Sequence, residues 1–177
     1  MSMRKGFFLA LVPAFAVFAA VFAHAADAPK LGAPLPASEI AAWDISIFPD
    51  GQGLPPGKGT AKEGRAVYDA QCARCHGPGG QGATAEELAG PPGALNVSDP
   101  NKNIGTYWPY ATTIFDMTKR SMPMQAPGSL TDDQVYAVTA YLLFANRIVA
   151  EDFEINQTTL PNVKMPNRDG FDRIDAK

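Results

Sequence analysis

The sequence predicts an all-α fold. Thr60 with Glu63 three places on, and Thr131 with Gln134 three places on, each have the capping-box arrangement that opens a helix. Apolar residues recur near a 3.6-residue period in two segments, through Trp108, Ala111, Ile114 and Phe115, and through Val135, Val138, Tyr141, Leu142 and Ala145. Cys72-Ala73-Arg74-Cys75-His76 sits at the end of the helix that Thr60 opens, with two thiols three positions apart on one helical turn.

From the N-terminus, Arg4-Lys5 precedes an apolar run from Phe7 to Ala23 and then Ala23-His24-Ala25, with small residues at the two positions a signal peptidase tests. This predicts a secretory signal over 1–25, whose removal from the 177 residues leaves 152. The run is long for a signal core and short for a spanning helix, so a retained anchor is the alternative. No other stretch is apolar enough to cross a bilayer, and no membrane association is expected once the signal is cleaved. Losing Arg4 and Lys5 takes 15 basic side chains to 13 against 18 acidic ones, and the formal charge from −3 to −5. No basic cluster remains, which argues against nucleic acid or anionic lipid as a partner.

Residues 26–59 are punctuated by Pro29, Pro34, Pro36, Pro49, Pro55 and Pro56, with Gly51, Gly53, Gly57 and Gly59 in the second half. That composition predicts an extended arm without regular structure. Trp43, Ile45, Ile47 and Phe48 are too apolar for a free linker, so the arm should be pinned either to its own domain or to a partner. The main domain spans 60–147. Its first helix begins at Thr60 and carries Val67, Tyr68 and Cys72; Gly77, Pro78, Gly79, Gly80 and Gly82 then form a loop. A short helical turn is expected over Thr84 to Ala89, a helix over Tyr107 to Ser121, and a closing helix after Thr131. Past Arg147 the periodicity fades into a polar tail, 148–177, with Pro161 and Pro166.

Cys-x-x-Cys-His is the attachment sequence for a c-type haem. Each thiol can form a thioether to a haem vinyl group, and His76 then lies under the iron as one axial ligand. A zinc half-site would want further cysteine ligands, and Cys72 and Cys75 are the two cysteines of the chain. A thioredoxin-like pair would need a βαβ setting that the sequence does not offer. One covalent haem c is therefore the predicted cofactor. Because c-type haem is attached outside the cytoplasmic membrane in bacteria, motif and signal agree on the periplasm. Both cysteines being taken by haem, no disulfide is available.

After cleavage His76 is the one remaining histidine, so bis-histidine ligation within the chain is excluded. Methionine, a weaker donor such as Lys, Tyr or Asn, or an open position remains. Met117 lies inside a predicted helix, where methionine usually fills the core. Met122 sits in a loop stiffened by Pro123 and precedes the closing helix, which makes it the first choice for metal ligand beside His76. Met124 shares the loop, and Met165 lies in the tail. His/Met ligation raises the potential and fills both axial positions, which suits a one-electron carrier better than a catalyst.

On Cys72-Ala73-Arg74-Cys75-His76-Gly77, Met122-Pro123 and the helix after Leu130-Thr131-Asp132-Asp133, the chain resembles the class I cytochromes c. On Trp43-Asp44-Ile45, Pro49-Asp50-Gly51, Trp108-Pro109-Tyr110-Ala111 and Met165-Pro166-Asn167-Arg168-Asp169-Gly170-Phe171, it is similar more narrowly to the cytochrome subunits of bacterial sulfite and sulfane dehydrogenases. The resemblance implies the class I cytochrome c fold around one covalent haem, flanked by the arm and tail as docking surfaces. It implies a proline carbonyl accepting the proximal histidine's N–H, in the Gly90-Pro91-Pro92 stretch, from either Pro91 or Pro92. Trp108 would donate its indole N–H to a haem propionate or pack on the haem edge. The partners implied are a molybdenum-containing dehydrogenase subunit and a downstream cytochrome c or oxidase. The alternatives are a free periplasmic shuttle to a terminal oxidase and a haem peroxidase-like enzyme.

Overall fold

A computed structural model describes residues 32–172. The signal expected over 1–25, residues 26–31 and residues 173–177 lie outside the described residues. The chain divides into two compact units, Met1–Ile40 and Ala41–Lys177. The first contributes the start of helix α1 (Ala37–Trp43), none of whose residues is buried.

In the second unit, α2 (Ala61–Gln71) starts where the sequence predicts. Thr60 is extended, its hydroxyl accepts from the Glu63 N–H, and the Glu63 carboxylate accepts from the Thr60 N–H at 2.8 Å. The chain kinks at Cys72 and resumes as α3 (Ala73–His76). Two helices, α4 (Ile104–Tyr107) and α5 (Ala111–Ser121), replace the single helix expected over Tyr107 to Ser121. Pro109 explains the break: the residue before a proline is pushed out of helical geometry, and Trp108 is extended at φ −76°, ψ 124°. No helix forms over Thr84 to Ala89. That segment is tied back by its own amides instead, Ala85 N–H to the Cys75 carbonyl and Leu88 and Ala89 N–H to that of Gly80. The closing helix α6 (Asp132–Ala145) is opened by the Thr131–Gln134 capping box.

All nine residues of α6 from Val135 to Leu143 are buried, against the single stripe that its periodicity suggests. It packs on α2 and α5, and it is also covered by strands β1 (Lys58–Gly59) and β2 (Ile155–Asn156), an antiparallel pair. Gly64 permits the α2–α6 contact: a Cβ there would fall 1.9 Å from the Ala137 carbonyl oxygen. The second half of the arm and most of the tail are thus part of the domain. Leu54, Ile155, Leu160, Val163 and Met165 join the core, Tyr136 donates its hydroxyl to the Pro55 carbonyl at 2.8 Å, and Gln157 donates to that of Leu54 at 2.7 Å. Asp116 on α5 accepts from the Ile47 N–H and from Arg120. No helix among the described residues is long and apolar enough to cross a membrane.

Candidate haem site

The end of α2 and the turn of α3 arrange the Cys-x-x-Cys-His residues. The Cys72 carbonyl accepts from both Cys75 N–H (3.1 Å) and His76 N–H (3.0 Å), which closes the turn. Gly77 then reverses the chain at φ 75°, where a side chain would collide with the Gly82 carbonyl. The buried Tyr68 hydroxyl donates to the Gly77 carbonyl at 2.9 Å and pins this reversal to α2. The returning loop brings the Glu86 carbonyl oxygen to 2.9 Å from His76 Nδ1. A carbonyl only accepts, so the neutral ring carries its proton on Nδ1 and keeps a lone pair on Nε2.

This corrects the expectation for Gly90-Pro91-Pro92. The loop turns back early, through Ala85 and Leu88, so that Glu86 reaches the imidazole first. Pro91 and Pro92 lie beyond, exposed to solvent and away from the cavity wall.

A cavity of about 460 Å³ opens beside α3. Cys72, Cys75 and His76 line it, with Leu88, Ile104, Ile114, Val138 and Leu142 as apolar wall and Tyr68 at its inner side. Cys72 and Cys75 are both free and half-buried. Burial, with Cys75 alongside, pushes the Cys72 thiol up to about 11.

Of the four methionines weighed as ligand, three line this cavity: Met117, Met122 and Met124. Met122 is the C-cap of α5, half-buried, its N–H bonded to the Thr118 carbonyl and its neighbour Pro123 buried. Met124 is 73% exposed, and Met117 faces partly to solvent from the helix. Met165 is 3% exposed within the core and does not line the cavity. Trp108 does line it, held in the extended link between α4 and α5. Glu86, Leu88 and Lys102 also stand in the wall, and no motif in the sequence marks them; the loop path alone delivers them.

The residues fit a covalently held haem. Two free thiols, an imidazole with Nε2 unprotonated and a thioether sulfur share one cavity with apolar walls, and its volume lies in the range of about 300–1,000 Å³ usual for cofactor sites.

A family model described as cytochrome c oxidase, cbb3-type, subunit III matches residues 59–142, the stretch from β1 to α6 that builds the cavity. With this helical frame and this cavity, the chain belongs to the class I cytochrome c family. More narrowly, it is similar to a chain in the crystal structure of the sulfane dehydrogenase SoxCD from Paracoccus pantotrophus. The two are 41% identical, the match covers 83% of this chain and 73% of that one, and the TM-score is 0.76. Among curated proteins none matches.

Proposed function

We propose that this cytochrome is the one-electron carrier of a periplasmic sulfur-compound dehydrogenase, working beside a molybdenum-containing subunit that oxidises the sulfur compound. The observation that carries the reading is the meeting of Cys72, Cys75, His76 and Met122 in one cavity, in a chain 41% identical to part of a sulfane dehydrogenase. Haem c bound there supplies a one-electron couple at iron. Cys72 and Cys75 would hold it covalently, and His76 Nε2 and the Met122 sulfur would be its donors to iron. The Glu86 carbonyl orients the imidazole and strengthens it as a donor. The apolar wall limits water, which together with the sulfur donor favours the reduced state. With His76 and Met122 both available as donors, the chain would carry electrons and leave the sulfur chemistry to its partner. The signal at 1–25 supports export to the periplasm.

The test is affinity capture of the tagged protein from periplasm, with metal analysis of what co-purifies. A molybdenum polypeptide that reduces this cytochrome when sulfite or a sulfane compound is added supports the reading. A chain that elutes alone, is not reduced by any molybdenum fraction and is oxidised by a terminal oxidase supports the free-shuttle reading.

A further inference from the structure

Two motifs without a role in the site described above meet beside the cavity. Trp108-Pro109-Tyr110 links α4 to α5 and presents Trp108 to the cavity wall. The tail segment from Met165 to Phe171 contacts residues on either side of Trp108 in the chain, Tyr107 and Tyr110. Asn167 Nδ2 donates to the Tyr107 carbonyl at 2.6 Å. The Phe171 ring meets the Tyr107 ring edge-on, with centroids 5.2 Å apart. On the other side, the Arg168 guanidinium sits 4.3 Å from the centroid of Tyr110. The residues immediately before and two after Trp108 are therefore held by the tail, some sixty residues away in sequence.

The link needs such a hold. Pro109 keeps Trp108 out of helix, so its backbone lacks the ladder that fixes a helical side chain, and Trp108 is half-buried, with its side chain packed against the edge of the core. The start of the tail is itself anchored, since Met165 is in the core and its carbonyl accepts from the Arg168 N–H at 3.2 Å.

We propose that Asn167, Arg168 and Phe171 form a clasp that fixes Trp108 in the cavity wall, so that the C-terminal tail keeps water from that edge of the haem and holds the reduction potential up. The three are positioning residues that act through Trp108. The inference rests on the proposed occupancy of the cavity by haem, and it assigns the tail a part in tuning the carrier.

The experiment uses the full-length holoprotein with Trp43→Phe, which leaves Trp108 as the sole tryptophan. Arg168→Ala and Asn167→Ala, singly and together, should raise Trp108 fluorescence as the indole leaves its haem quencher, move its indole N–H resonance, and lower the midpoint potential. Arg168→Lys keeps a cation over Tyr110 and should restore both readouts in part. Unchanged emission and potential would overturn the clasp, and so would a lower melting temperature with neither readout moved, which is a merely structural role. A colourless protein without a haem absorption band counts against the proposed function instead. In that case the indole resonance alone judges the clasp: a shift in the Ala variants upholds it, and no shift overturns it.

Discussion

The Nδ1 of His76 lies 2.9 Å from the carbonyl oxygen of Glu86, ten residues further along the chain. That bond fixes the tautomer and the ring plane of the proposed proximal donor, and it depends on a loop bent by Gly77 and tied back at Cys75 and Gly80. Backbone, not side chain, thus prepares the ligand.

His76→Ala should consequently remove the proximal donor and leave little stable holoprotein. Cys72→Ser and Cys75→Ser should each leave one thioether and weaken retention. Acid–organic extraction, which removes haem that is not covalently bound, checks this: none should be extracted from wild type, and all of it from the double Cys72→Ser, Cys75→Ser variant.

Met122→Ala should lower the reduction potential and open the iron to added ligands, because a soft neutral sulfur favours ferrous iron. Met124→Ala and Met117→Ala should leave the potential close to wild type, as Met124 faces largely and Met117 partly to solvent. Potentiometric titration of the three variants separates the candidates; an unmoved Met122→Ala would transfer the role to Met124 or Met117.

Much of this domain is legible in sequence because its signals are local. Thr60 with Glu63 and Thr131 with Gln134 start helices where short-range hydrogen bonds dictate, and Cys-x-x-Cys-His carries its chemistry in five residues. What is not legible depends on distant chain. The stripe on α6 marks one face, yet Tyr136, Thr139 and Leu143 are buried too because arm and tail cover the other faces. Composition marks the arm 26–59 and the tail 148–177 as irregular, while Leu54, Ile155 and Leu160 show that such chain can still complete a core. The carbonyl beneath His76 comes from Glu86 and not from Pro91 or Pro92, since a carbonyl acceptor leaves no mark on residue type. The one local signal passed over is Pro109, which ends helical geometry at Trp108.

Gly64→Ala should destabilise the fold by roughly 1–3 kcal/mol, since the added methyl meets the Ala137 carbonyl on a packed neighbouring helix. The gain in helix propensity, about 1 kcal/mol at most, does not offset a clash with backbone. Denaturant melting of the holoprotein measures the difference; an unchanged midpoint would contradict the close α2–α6 contact.

Thr60→Ala should cost about 1 kcal/mol through loss of the α2 cap. Hydrogen bonds from the Thr60 hydroxyl, and then from its N–H, hold the Glu63 carboxyl below the usual carboxylate range. A depressed folded-state pKa gives stability that is present above the unfolded value and is lost as pH falls through the folded one. Melting curves from about pH 5 down to about pH 3 should therefore show a small acid-dependent loss that is absent in Glu63→Gln. The effect is small because Glu63 is open to solvent.

The most direct measurement is the intact mass and visible spectrum of the protein secreted by a host able to attach c-type haem. The expected result is the mass of the mature polypeptide plus one haem, which survives denaturation, and a red-edge charge-transfer band of sulfur-ligated ferric iron that disappears in Met122→Ala. A colourless product with the mass of the polypeptide alone would contradict it.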